Sequence, residues 1–574
     1  MTGEQLEYQC GIYFPLSAHI ASRAGDVFIN DNERNFVSTL VRGVLQTSML
    51  VLLAACSHVV AAQSAPASVA ADQFPYAETD IATLQRQMQN GALTSRALTQ
   101  AYLDRIAAID SSGPALNAVI EINPDALREA NVLDAERSAG KMRGPLHGIP
   151  VLLKDNIDAT PMVNSAGSLA LENHHPKTDA FLVQRLRAAG AVILGKTNLS
   201  EWANFRSTRA TSGWSARGGQ TRNPYALDRN PCGSSAGTGS AIAASLAAVG
   251  IGTETDGSII CPSSVAGLVG IKPTVGLVSR SGIIPISHSQ DTAGPMARSV
   301  ADAATLLSVI AGVDATDSAS LNAASHMQPD YTSHLRADAL HGARIGVVRK
   351  SMGFQPDVDA AMERAIATMR SAGATVVDAD IPTAGQWDSA ESDVLLYEFK
   401  ADLETYLARS DAPIKTLAAL IAFNKQHAAM EMPYFGQELF EQSQAKGPLT
   451  DVAYLAARDK ARRLAGQEGI DAALKSHHLD ALIAPAMSPA WLTDPINGDH
   501  STGEGYGAAA VAGTPSITIP MGDSHGLPIG IVFMGPAWSE ARLIELGYSY
   551  EQLTHARKPP QFLRTVSLET ASSQ

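Results

Sequence analysis

The sequence contains little cysteine, which excludes one class of small secreted protein. Only 4 of its 574 residues are cysteine, too few for a fold stapled by several disulfides. Cys10 and Cys56 lie near the N-terminus, whereas Cys232 and Cys261 lie in a stretch rich in serine and glycine. The latter two either form a disulfide, which requires an oxidising compartment, or pack as two small apolar side chains.

The sequence also lacks an excess of positive charge and a metal-binding motif. Lys and Arg number 43 against 57 Asp and Glu, a formal net charge of −14, which argues against a nucleic-acid partner. The 15 histidines include no HExxH pattern and no pair at metal-ligand spacing, so we expect no metal. The hydrophobic content of 45% and the charged content of 17% are ordinary for a globular enzyme.

A short apolar run near the N-terminus predicts export. Residues 1–36 are mixed polar and predict an extension that is non-native or disordered. Residues 37–62 predict a signal peptide, since the run is too short for an ordinary membrane span. Residues 53–56 match a lipobox with Cys56 as the lipidated residue, whereas cleavage near Ala62 is the alternative. The predicted location is the periplasm or a lipid anchor on a bacterial membrane, and a cytoplasmic amphipathic helix is the other interpretation.

Residues 80–562 predict one large α/β domain after a spacer at 63–79, and residues 563–574 predict a tail. Short apolar runs alternate with helical patterns, which is typical of a largely buried sheet. The runs predicted as strands are Ile149–Leu153, Ala191–Leu194, Arg344–Val348, Ala374–Val377, Ala481–Ala484, Ser516–Ile519 and Ile529–Met534. Apolar stripes at helical spacing predict packing helices, with Ile81, Leu84 and Met88 on the first and Thr94 as the cap of the second.

The stretch from Cys232 to Pro273 carries the candidate chemistry. Its small residues allow close approach of the main chain to a ligand. Ser258 follows a turn at Thr253–Gly257, and the backbone N–H groups of Thr255, Asp256 and Gly257 are suited to stabilise a developing oxyanion. A nucleophilic serine needs a base, and Lys154 ends an apolar run, where burial lowers the pKa of its amine.

Two other motifs fit their patterns but not the required context. Gly190–Thr197 matches the phosphate-loop pattern, yet its interior Ala-Val-Ile-Leu is a strand rather than a loop that follows one. Gly233–Gly237 matches the G-x-S-x-G elbow with Ser235 at its centre, yet a polar, proline-containing loop precedes it. We therefore predict neither a nucleotide phosphate site nor an esterase elbow.

Lys154, Ser234 and Ser258 resemble the Ser–cisSer–Lys triad of the amidase signature family, and the resemblance runs from about residue 80 to about residue 560. It implies a mixed central sheet covered by helices, and no cofactor. It also implies that Ser258 is the nucleophile, that Ser234 relays its proton and that Lys154 is the base. The sequence departs from most of the family at Asp256, which replaces a glycine, and at Ile260, which replaces an arginine.

The segments Ser215–Arg229, Ser289–Ala304 and Tyr397–Lys400 resemble the branch of this family that deamidates C-terminal peptide amides. This implies a small peptide or amide substrate and release of ammonia, with no nucleic acid and with membrane contact only through a lipid anchor. The alternatives are an amidotransferase A-type subunit, which supplies ammonia for tRNA-bound glutamate, an amidase for fatty or aryl amides, and an inactive binding protein. The oligomeric state stays open.

Overall fold

The structure is a computed structural model that describes residues 74–566. The predicted extension at 1–36, the predicted signal peptide at 37–62 and residues 63–73 of the spacer lie outside the described residues, as do residues 567–574 of the tail. The predictions of lipidation at Cys56 and of export therefore stay predictions. No helix within residues 74–566 is long and apolar enough to cross a membrane.

Short strands form the centre of the described part. In chain order they are β1 (Val119–Ile122), β2 (Pro150–Lys154), β3 (Val192–Thr197), β4 (Trp214–Ser215), β5 (Gly219–Gln220), β6 (Val249–Glu254), β7 (Val269–Lys272), β8 (Thr292–Ala297), β9 (Arg344–Val347), β10 (Thr375–Asp378), β11 (Ala481–Pro485), β12 (Ser516–Ser524) and β13 (Leu527–Met534). Eleven of them form one sheet in the order β1-β3-β2-β6-β8-β7-β12-β13-β11-β9-β10, and β4 pairs with β5. Parallel pairs such as β2 with β3 occur beside antiparallel pairs such as β6 with β8, so the sheet is mixed.

Helices flank this sheet. They are α1 (Ile81–Gln89), α2 (Ser95–Arg105), α3 (Ala126–Ser138), α4 (Phe181–Ala188), α5 (Ala236–Ala243), α6 (Ile260–Val265), α7 (Val300–Ile310), α8 (Pro356–Ser371), α9 (Asp388–Arg409), α10 (Leu417–Gln426), α11 (Ala428–Glu431), α12 (Glu438–Gln444), α13 (Val452–Arg462), α14 (Asp471–His477), α15 (Gly507–Ala512) and α16 (Glu540–Thr554). The prediction of a large α/β domain with a mixed central sheet covered by helices is confirmed.

The apolar spacing in the sequence explains the first helices. Ile81, Leu84 and Met88 are the buried residues of α1, because side chains three and four positions apart share one helix face. Thr94 caps α2, and its side chain accepts a hydrogen bond from the backbone amide of Ala97 at 3.0 Å. Such a cap satisfies one of the amides that the first helical turn leaves unpaired.

The strands extend beyond the apolar runs where a hairpin continues the pairing. The run Ser516–Ile519 predicts a short strand, whereas β12 continues to Ser524. Its last residues pair with the start of β13, where Ser524 lies opposite Leu527. Main-chain hydrogen bonds carry the strand through polar residues that the apolar pattern does not mark.

The sheet brings three strand ends to one edge. β3, β2 and β6 are parallel neighbours, with Lys154 opposite Thr197 and Leu153 opposite Ile251. Parallel strands end at the same edge of a sheet, where the following loops form a cleft. Lys154 at the end of β2 and the loop after β6 therefore meet there.

Candidate active site

Lys154 is the last residue of β2, and its side chain is fully buried. Its Nζ atom lies 2.7 Å from Ser234 Oγ, 2.9 Å from Thr253 Oγ1 and 3.1 Å from the Thr253 carbonyl oxygen. A neutral amine has two N–H donors and one lone pair. It can donate to both Thr253 oxygens while its lone pair accepts the Ser234 hydroxyl, so this arrangement suits a base.

The surroundings of Lys154 favour the neutral amine. Burial lowers the pKa of Lys154 to about 7, and the negative charges of Glu254 and Asp291 act against that shift. A lysine with a pKa near neutrality holds a substantial fraction of free amine at physiological pH, which an exposed lysine does not. The sequence-based expectation that burial lowers the pKa of Lys154 agrees with the full burial of this side chain.

Ser234 lies two residues before the start of α5, and its preceding peptide bond, Gly233–Ser234, is cis. The next residue, Ser235, links the surrounding loops. Its hydroxyl donates to the Thr253 carbonyl at 3.1 Å, and its amide donates to the Ser258 carbonyl at 3.2 Å. The paired serines thus have different surroundings: Ser234 faces Lys154, whereas Ser235 joins the end of β6 to the residue predicted as the nucleophile.

Ser258 lies in the loop between β6 and α6, which we name the nucleophile loop (residues 255–258). It is 7% exposed, so its side chain is largely shielded from bulk solvent. Gly257 has a φ of +76°, and a Cβ there would overlap the ring of Tyr506. Only glycine meets both conditions without strain. The backbone amides of Asp256 and Ser258 donate to no other residue within 74–566, which leaves them free for an oxyanion.

Two carboxyl groups, the buried Glu254 and the partly buried Asp291, hold the nucleophile loop at its ends. Glu254 accepts hydrogen bonds from the amides of Ile259 and Ile260 at 2.7 and 2.9 Å, and the Gly257 amide also lies close to it. Asp291 accepts the Thr255 hydroxyl at 2.6 Å. The loop therefore has a fixed conformation, and fixed donors stabilise developing charge without reorganisation.

A disulfide joins the two serine segments. Cys232 and Cys261 are bonded, with their Cα atoms 6.0 Å apart, which decides between the two alternatives that the sequence leaves open. Cys232 precedes Ser234 by two positions, and Cys261 lies in α6 just after Ser258. The disulfide therefore ties the segment just before Ser234 to the helix that follows Ser258.

Removing this disulfide should destabilise the protein. The two cysteines are 29 residues apart, and closing a loop of that length in the unfolded chain stabilises the fold by about 3 to 4 kcal/mol. We expect the double variant Cys232→Ala/Cys261→Ala to unfold at lower denaturant concentration than the wild type. Reductant should shift the wild type toward the variant and leave the variant unchanged. Superimposable curves for all four samples would contradict the prediction.

A cavity of about 580 Å³ adjoins the lysine side of the site. Its wall includes Asn156, Thr253, Thr255, Arg280, Asp291 and Tyr406. Asn156 Nδ2 donates to Thr253 Oγ1 at 3.0 Å, and the same oxygen contacts Lys154, so one hydroxyl separates the cavity from the lysine amine.

Comparison with known proteins decides the family. A family model described as Amidase matches residues 97–544, most of the chain. The chain belongs to the amidase family. The native peptide amidase from Stenotrophomonas maltophilia is a similar solved structure, with 59% identity and a TM-score of 0.82 over 85% of this chain and 99% of that one. A probable amidase from Arabidopsis thaliana is 40% identical over 85% of this chain and 93% of its own length.

Amidotransferase subunits are more distant relatives. The A-type subunit of the glutamyl-tRNA(Gln) amidotransferase from Roseiflexus castenholzii is 34% identical over 84% of this chain and 98% of its own length. The predictions of an amidase signature protein close to peptide amidase and of an amide-hydrolysing enzyme are confirmed. The roles of the individual site residues stay predictions.

Sequence reasoning missed two residues that contact the lysine end of the site. Thr253 supplies two of the three oxygens around Lys154, and Asn156 holds its hydroxyl. Asn156 lies only two positions after Lys154, and Thr253 begins the predicted turn, so both were visible as polar residues at strand ends. The segment that matches the phosphate-loop pattern forms β3 over Val192–Thr197, as its strand interior predicts, and Lys196 in it pairs with Asp155 at 3.1 Å, with both side chains fully buried.

Proposed function

We propose that the chain deamidates peptides that carry a C-terminal carboxamide, with Ser258, Ser234 and Lys154 as its catalytic triad. The observation that carries this proposal is the 2.7 Å contact between a buried lysine amine and Ser234, beside the nucleophile loop. Its 59% identity to a peptide amidase over nearly that protein's whole length supports the substrate class.

The first half of the reaction forms an acyl-enzyme. Ser258 Oγ attacks the amide carbon while its proton passes to Ser234, whose own proton passes to the lone pair of Lys154 Nζ. The carbonyl oxygen becomes an oxyanion, which the loop amides stabilise. The carbon–nitrogen bond then breaks, the proton returns through Ser234 to the nitrogen, and ammonia leaves.

The second half releases the acid. A water molecule gives a proton through the same relay and attacks the ester carbon, and the oxyanion forms again in the loop. The bond to Ser258 Oγ breaks, and that oxygen recovers its proton. The product is a peptide with a free carboxylate, and every proton that Lys154 receives is returned within the cycle.

A substrate panel tests the proposed class. The wild type is incubated with a tripeptide amide, its free-acid counterpart, glutamine, a fatty amide and an aryl amide, and ammonia and product masses are measured. We expect ammonia from the tripeptide amide, with the mass change for replacing NH₂ by OH, and an intact free-acid peptide. Internal cleavage of the free acid, or faster hydrolysis of glutamine, fatty amide or aryl amide, would contradict the proposal.

A further inference from the structure

The disulfide between Cys232 and Cys261 lies next to both serines of the candidate triad. Cys232 is two residues before Ser234, and Cys261 is three residues after Ser258. Neither cysteine takes part in the proton transfers of the proposed mechanism. A covalent bond at this place nevertheless fixes how far the segment that carries Ser234 can move from the segment that carries Ser258.

The main chain at Cys232 has a conformation that needs support from its surroundings. Its φ is +54°, in the left-handed region that residues with a side chain rarely adopt. The Cys232 amide donates to Asn230 Oδ1 at 2.8 Å, and Asn230 Nδ2 donates to Asp499 Oδ1 at 2.9 Å. The side chain of Cys232 is held by its bond to Cys261, so the disulfide is one of the contacts that fix the approach to Ser234.

The main chain at Cys261 is bonded directly to the nucleophile loop. Its amide donates to the carbonyl oxygen of Gly257 at 2.8 Å. Gly257 lies between Asp256 and Ser258, whose amides are the free donors for an oxyanion. A displacement of Cys261 therefore reaches the oxyanion donors through one hydrogen bond.

Noncovalent contacts between the two serine segments are more easily altered than the disulfide. The Ser235 amide donates to the Ser258 carbonyl at 3.2 Å, and Gly239 of α5 packs closely against Pro262 of α6. Hydrogen bonds and packing contacts adjust by several tenths of an ångström when a nearby constraint is lost, whereas a covalent bond does not. The disulfide is thus the stiffest of these links between Ser234 and Ser258.

The fold around the two cysteines does not depend on the bond alone. Cys232 is 6% exposed and Cys261 is 1% exposed, and both belong to one buried apolar cluster that includes Ile260 and Val265. Two thiols at these positions would still pack as small apolar side chains. Breaking the bond should therefore change the geometry of the site in a protein that stays folded.

We propose that the disulfide is a redox-sensitive positioning element, and that the enzyme has its full kcat only while Cys232 and Cys261 are bonded. A dithiol reductant breaks the bond, each sulfur gains one electron and one proton, and the dithiol leaves as a cyclic disulfide. A small disulfide such as oxidised glutathione reverses the step and leaves as two thiols. The enzyme is then most active in oxidising surroundings. The inference rests on the proposed function for its choice of substrate.

Reversible reduction of the wild type is the direct test. The full chain is treated with a dithiol under native conditions, and alkylation followed by peptide mapping measures the free thiols at Cys232 and Cys261. For a tripeptide amide we expect kcat to fall by about 10²-fold with little change in KM, since a displacement of about 1 Å in an active site can cause such a loss. Oxidised glutathione should restore kcat. A reduced enzyme that keeps the wild-type kcat would overturn the inference.

Variants separate the bond from the side chains and from stability. Cys232→Ala, Cys261→Ala and the double variant break the same bond, so all three should have the same lowered kcat. Losses that add in the double variant would assign the effect to the side chains and overturn the inference. Met362→Ala is the control, because it truncates a fully buried side chain in α8 and leaves the disulfide intact. It should lose stability and keep kcat, and a loss of kcat equal to that of the cysteine variants would also overturn the inference.

A fluorophosphonate probe separates this inference from the proposed function. The probe needs no amide, because its phosphorus bonds to Ser258 Oγ and fluoride leaves. Slower labelling of the reduced enzyme supports the positioning element even if the wild type hydrolyses no peptide amide, which would reject the proposed function alone. Equal kcat and equal labelling in the oxidised and reduced enzymes reject the positioning element alone. A wild type that reacts with neither the amides nor the probe rejects both.

Discussion

Ser258→Ala should abolish amide hydrolysis while leaving the protein folded. Ser258 lies in a loop where its own amide and that of Asp256 are free to hold an oxyanion, and its hydroxyl is the group that would bond to the substrate carbon. Losing the nucleophile should lower kcat by about three or more orders of magnitude. Ammonia release from a tripeptide amide, with enzyme concentration set by absorbance, measures this effect.

Ser263→Ala is the matched control for this prediction. Ser263 lies in α6, is fully buried, and its hydroxyl has no hydrogen-bond partner among the described residues. The control removes the same atom five positions along the chain and should keep most of the activity. Circular dichroism should show the same fold for both variants, and a Ser258→Ala enzyme with a wild-type rate would reject the assignment.

Lys154→Met should also remove almost all activity. Methionine keeps the apolar stem of the buried side chain and removes the amine that contacts Ser234. Loss of a general base should lower the rate by about 10²- to 10⁴-fold. Lys425→Met, which alters an exposed lysine paired with Glu441, serves as the control and should keep the wild-type rate.

The pH profile of the wild type tests the same residue without a substitution. Burial lowers the pKa of Lys154 to about 7, so the free amine that acts as base forms as the pH rises through that value. Activity should therefore fall about tenfold per pH unit below this pKa and level off above it. A flat profile between about pH 5 and pH 9, with chemistry rate-limiting, would contradict a lysine base.

Local patterns in the sequence were sufficient for most of the secondary structure. The run Ile149–Leu153 predicts β2 to within one residue, and Arg344–Val348 does the same for β9. A helix or strand that packs against the core has apolar residues at a regular spacing, and this spacing can be recognised within a short stretch of sequence. β12 is longer than the apolar run Ser516–Ile519 because hairpin pairing continues into polar residues. Backbone hydrogen bonds form whatever the side chains are, so they produce no apolar pattern in the sequence.

The candidate triad could be predicted because its members lie in recognisable motifs. The residues that contact the triad and the nucleophile loop could not be predicted in this way. Thr253 is 99 residues from the Lys154 amine that it contacts, and Glu254 and Asp291 come to the loop through the pairing of β6 with β8. Such polar residues are visible in the sequence at strand ends and in loops, but nothing local indicates which distant residue each of them contacts.

The sequence by itself determined the α/β class, the strand that ends in Lys154, the family, and the serines that the family implies. Only the tertiary structure decided that Cys232 bonds to Cys261 and that Thr253 contacts the amine of Lys154. The physical reason is that a local pattern encodes which face of an element is buried. The order of strands in the sheet and the path of the loops decide which distant residues meet, and these depend on the packing of the whole chain.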